Sequence, residues 1–140
     1  MGTLGSMSAL GDHLETRSAV LRVNESGMIE QRFKEGADLD TTMLSENRDA
    51  RLAICDGDTY GLYCVLPTEM SIPVLRLGSE RYGEGEEEGR LKALAIVAED
   101  DKGHTMASVY SKYFNFSFPV RVFEQAAAEE AKAWLRLHLS

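Results

Sequence analysis

Hydrophobic and polar positions alternate near the start of this chain and then stop alternating, and that change predicts the architecture. From Arg17 to Val23 the apolar residues Ala19, Leu21 and Val23 alternate with Ser18, Val20 and Arg22. After the turn Asn24-Glu25-Ser26-Gly27, Ile29 and Phe33 alternate with Met28, Glu30 and Arg32. A period of two with one wet face predicts a β-hairpin. Gly36 ends the second strand, and Asp38 or Asp40 offers a side-chain oxygen to the free amides of a helix running to Ala53 or Ile54. On that helix Met43, Ala50 and Ile54 fall on one side, and Glu46, Arg48, Asp49 and Arg51 face mainly water. Asp56-Gly57-Asp58 breaks it.

Two later runs lose the wet face: Leu62-Tyr63-Cys64-Val65-Leu66 and Ala93-Leu94-Ala95-Ile96-Val97-Ala98. Such strands belong at the centre of a sheet covered on more than one side. Ser71 to Tyr82, with Pro73 in its first turn, reads as a helix between them, followed by a Gly/Glu stretch from Gly83 to Gly89. Strand, helix and strand in that order predict a parallel pair joined by a right-handed crossover. Beyond the acidic turn Glu99-Asp100-Asp101, Met106, Val109, Tyr110, Tyr113 and Phe114 recur at helical spacing, and the helix should end near Asn115. Pro119-Val120-Arg121-Val122-Phe123 reads as a short strand, with Pro119 at its start where no ladder amide is required. Glu124 to Leu139 closes the chain as a helix with the stripe Ala127, Ala131, Trp134 and Leu135, with acids early and bases late as the helix dipole favours. The expected fold is α/β, a mixed sheet of about five strands with helices packed on it. Residues 1–12 read as a flexible tail, with Met7 a candidate native start, and residues 13–140 as one domain.

Composition narrows the function classes. At 140 residues, 44% hydrophobic and 27% charged, the chain suits one soluble domain with its own core. A net charge of −8 with 15 scattered basic residues argues against a nucleic-acid partner, which would need a concentrated basic face. No apolar stretch is long enough to cross a bilayer, and Met1 to Gly11 lacks a basic head followed by an apolar block, so a cytoplasmic location is expected. Cys55 and Cys64 match neither a zinc knuckle nor a redox pair; both are expected reduced, with Cys64 a small core residue.

Chemical candidates are sparse. Glu84, Glu86, Glu87 and Glu88 read as a solvated charge run, since a hard-cation loop needs convergent ligands. His13, His104 and His138 are too dispersed for a metal set. His104 beside Asp100 and Asp101 would be a proton-transfer dyad only with a nucleophile or substrate pocket, so solvated loop residues are expected there. Gly83, Gly85 and Gly89 do not follow a strand and open a helix as a dinucleotide cradle requires. No cofactor, metal or catalytic set is expected. The aromatic set Tyr110, Tyr113, Phe114, Phe116 and Phe118 beside Met106 has core spacing. Five aromatics within nine residues nevertheless exceed what one helix face hides, leaving a candidate surface for a second subunit, a membrane surface or a small lipid-like ligand.

Arg90 to Val97, Ser108 to Phe114, Phe118 to Phe123 and Ala128 to Leu135 together resemble the SpoIIAA-like, STAS-type domains of bacteria, in particular small, largely uncharacterised stand-alone members. The likeness runs from Arg17 to Leu137 and is most specific in its last third. It implies a non-enzymatic regulatory module acting by protein–protein contact, for which the aromatic set offers a homodimer through Tyr110 to Phe118; the alternative, resting on those aromatics and not on the resemblance, is a small apolar-ligand or lipid carrier. In STAS-type antagonists of anti-sigma factors, a Ser in an Asp-Ser-x-Gly-type turn is phosphorylated as a switch. The matching turn here is Pro67 to Pro73, where Ser71 and Thr68 are the candidate phosphoswitch residues, without the motif's Asp and Gly. Read from its position alone, Ser71 is a helix N-cap.

Overall fold

The computed structural model describes residues 13–25, 27–35, 41–55, 57–66, 87, 89–113 and 116–139. The expected tail, the helix from Ser71 to Tyr82, and Ser71, Thr68 and Phe114 themselves lie outside these residues. Six strands form a single sheet in chain order: β1 (His13–Glu15), β2 (Ala19–Glu25), β3 (Met28–Phe33), β4 (Tyr60–Leu66), β5 (Leu91–Ala98) and β6 (Val120–Glu124). Among the described residues three helices accompany them: α1 (Thr41–Cys55), α2 (Asp101–Tyr113) and α3 (Ala128–Leu139), the last preceded by a 3-10 turn over Gln125–Ala127.

β2 runs antiparallel to both of its neighbours, β1 and β3, whereas β3, β4, β5 and β6 are mutually parallel. The mixed α/β sheet is thus present, with β4 and β5 as adjacent parallel strands, Leu62 beside Leu94 and Cys64 beside Ile96. One strand exceeds the expected five. β1 is three residues long, too short for a period to show in sequence, and exists through its pairing of His13 with Arg22 and Glu15 with Val20.

The alternation of β4 and β5 sorts their side chains into two cores. On one face Leu62, Cys64, Leu94 and Ile96 join Leu21, Ile29 and Phe33 beneath α1 and α2. On the other, Tyr63, Val65, Ala93, Ala95 and Val97 meet Ala131 and Leu135 of α3. Successive parallel strands added on one side of a sheet carry their crossovers on one face when handedness is uniform. The closing helix α3 covers the opposite face. Both apolar runs are therefore buried on two sides, and each fully covered Leu contributes about 1.5–3 kcal/mol relative to exposure.

The α3 face depends on small residues. A Cβ added to Gly61 would lie 3.1 Å from Leu139 Cδ2 and 3.3 Å from Leu135 Cδ2, so a larger residue there would require those leucine ends to give by a few tenths of an ångström. Gly61 pairs in register with Ala93. The same helix corrects one expectation for β3: Met28, on the side expected to be wet, is fully buried against it. α3 itself follows its sequence pattern, with Ala131 and Leu135 buried and Ala127 and Trp134 packed at the margin of that core. Trp134 stands between Phe123, at 5.9 Å, and His138, at 4.7 Å between ring centroids.

Candidate functional site

The buried residues of α1 are Leu44, Asn47, Ala50, Arg51 and Cys55, on one side of the helix. Two of these five are polar. This corrects the assignment of Arg51 to the water-facing side: its guanidinium is completely buried. Glu87 is likewise completely buried, so the acidic stretch it belongs to is not a uniformly solvated run.

These two misplaced charges are partners. Arg51 Nε and Nη2 donate to Glu87 Oε2 and Oε1 at 2.6 and 2.9 Å, a two-pronged pair in which neither side chain has solvent exposure. Arg51 Nη1 donates to Gln31 Oε1 of β3 at 2.8 Å, and the Tyr60 hydroxyl at the start of β4 donates to Glu87 Oε2. Burial pushes the Tyr60 phenol well above the usual tyrosine range; the Arg51 charge opposes that rise and the Glu87 charge adds to it. The phenol therefore remains a proton donor across the physiological range. Gln31 Nε2, also buried, has no hydrogen-bond partner among the described residues.

Glu87 reaches this position through a turn. Arg90 N donates to Glu87 O at 3.0 Å, and Gly89 just before it has φ +80°, a conformation that an L side chain resists. Arg90 O then accepts from Tyr60 N at 2.7 Å, tying the turn to β4.

A second polar clamp lies one turn earlier on α1. Asn47 Nδ2 donates to Ser18 Oγ at 2.9 Å and Asn47 Oδ1 accepts from Thr16 Oγ1 at 2.6 Å, both at the β1–β2 end of the sheet. Glu46 adds an exposed pair with Arg17 at 2.9 Å. Sequence reasoning passed over Gln31, Asn47, Arg51, Tyr60 and Glu87 as a set. The legible signal was Arg51, which shares a helical stripe with Leu44 and Cys55.

The aromatic candidates occupy another part of the same face. Met106, Phe116 and Phe118 are partly buried against the core beneath α1 and α2, together with Val120 and Val122 of β6. Phe116 and Phe118 meet at 5.4 Å between centroids with their planes tilted by 47°. The backbones of Tyr110 and Tyr113 belong to the last turns of α2. Val109 on that helix is 44% exposed.

At the expected dyad, the Asp100 carboxylate accepts from Gly103 N at 2.8 Å and so caps α2, while His104 N donates to the Asp100 carbonyl in the same turn. Cys55 and Cys64 are free thiols, both buried. Two depressions outlined by described residues are lined by His13, Arg22, Val23 and Asn24, and by Glu15, Thr16, Arg17, Lys34 and Glu46. Among the described residues no group of His, Cys, Asp and Glu is arranged to hold a metal ion, and no helix is long and apolar enough to cross a membrane.

No curated protein and no solved structure shows significant similarity to this chain. A family profile does, and it spans residues 28–136, from the first residue of β3 into the last turn of α3. The matched span contains the parallel strands, α1, α2, most of α3 and the buried Arg51–Glu87 pair, and by it the chain belongs to the SpoIIAA-like family of STAS-type regulatory and interaction domains.

Proposed function

We propose that this protein is a non-enzymatic interaction module that works by protein–protein contact, and that its contact surface is the margin formed by α2 and β6, with a second copy of the chain as the partner. One observation carries the reading: the exposed Val109 lies on the helix that flanks the partly covered Phe116, Phe118, Val120 and Val122. Apolar side chains grouped beside an edge strand are what a docking surface offers, since contact removes them from water and pairs the strand's outer backbone groups. Family membership supports the same class of function.

Regulation by phosphate belongs to this reading. Ser71 and Thr68 are the hydroxyls at which a family-type switch would act on this chain, and a phosphate at the start of a helix is electrostatically favoured. Sedimentation of the wild type against Val109→Glu and Val122→Lys tests the surface. The wild type is expected to associate with rising concentration, and both variants are expected to remain monomeric with unchanged circular dichroism. A wild type that sediments as a monomer throughout overturns the dimer.

A further inference from the structure

We propose that Arg51, Tyr60 and Gln31 form a carboxylate-binding cradle beneath α1, and that Glu87 occupies it as an internal ligand able to detach, with its turn, while the sheet stays folded. This is independent of the α2–β6 contact surface. The receptor groups come from three regular elements: α1 supplies the guanidinium, β3 the amide and β4 the phenol. The occupant comes from a turn whose described backbone ties are Arg90 N to Glu87 O and Tyr60 N to Arg90 O.

The chemistry specifies a carboxylate. Arg51 presents two parallel N–H donors matched to two oxygens, and Tyr60 adds an O–H donor to one of them. Gln31 holds a further buried donor, Nε2, on the amide whose oxygen already binds Arg51, so the cradle carries more donor capacity than its occupant uses. A buried cation cannot be left without an anion, so vacating the cradle demands another carboxylate or solvent in place of Glu87. The ligand class is therefore a small carboxylate or an acidic side chain.

Chemical rescue tests the cradle. Glu87→Ala removes the internal carboxylate, and sodium acetate is then expected to raise the melting temperature of that variant well beyond sodium chloride of equal ionic strength, with saturation. The same addition should leave the wild type and the double variant Arg51→Met/Glu87→Ala at the sodium chloride level. An acetate gain that is absent, or equal with and without Arg51, overturns the cradle. Detachment is read in Glu87→Gln, which keeps the shape but loses the charge. The amides of Tyr60 and Arg90 are expected to exchange about tenfold faster or more, the scale of one charge-assisted bond, while those of Leu94 to Val97 keep their protection. Unchanged exchange at Tyr60 and Arg90, or a uniform loss across the sheet, overturns the detachable turn.

Discussion

The two faces of the sheet are held by different physics. Beneath α3 the contact is made of Gly61, Ala93, Ala95, Ala131 and Leu135, and none of the buried polar side chains among the described residues lies in that core. On the α1 side all of them do: Ser18, Gln31, Asn47, Arg51 and Glu87 interleave with Leu44, Ala50 and Cys55. Apolar packing is non-directional and degrades in proportion to the volume lost. A buried ion pair behaves otherwise, since its net contribution is small while removal of one member strands the other. The α3 face therefore supplies bulk stability, and the α1 face supplies a contact that is either complete or broken.

Three substitutions test that contrast. Arg51→Met alone should lower stability by about 4 kcal/mol, because the Glu87 carboxylate is then buried without its cation. Arg51→Met combined with Glu87→Leu should recover much of that loss in urea unfolding. Equal effects in the single and double variants would mean that the α1 side behaves like ordinary packing. Leu135→Ala, beneath α3, should lower stability by about 3 kcal/mol. No second substitution elsewhere should restore it, and rescue by a polar change on the α1 side would erase the distinction between the faces.

The smallest effect is expected at Tyr60. Tyr60→Phe removes one donor to Glu87 and should weaken the fold by about 1 kcal/mol at neutral pH. Its pH dependence carries a definite sign. Burial raises the phenol in the folded chain, so the stability it lends is complete below about pH 10, where the unfolded phenol titrates, and is lost as pH rises beyond it. Wild type and Tyr60→Phe should accordingly converge in stability in alkali. A gap that widens there would show that the phenol is not held neutral by its surroundings.

The apolar half of this architecture was legible in sequence and the polar half was not. β4 and β5 declared themselves by the loss of alternation, and α3 by the spacing of Ala127, Ala131, Trp134 and Leu135, because burial in regular elements leaves a periodic trace. Met28 was misjudged because its burial comes from α3, a hundred residues further along the chain. Arg51 and Glu87 were each placed in water by the rule that single charges are solvated, a rule that holds until the fold supplies a partner. Their pairing spans 36 positions and no local pattern encodes it. Of the aromatic set, Phe116 and Phe118 do meet, yet their partial exposure depends on where α2 stops and β6 begins.

Cys55 and Cys64 give this asymmetry its own reporter. Both thiols belong to the core beneath α1 and α2, and the core beneath α3 contains no cysteine among the described residues. A thiol reagent in water meets sulfur only when that side of the molecule lifts, so the labelling rate of the unmodified chain is a clock for excursions on one side alone.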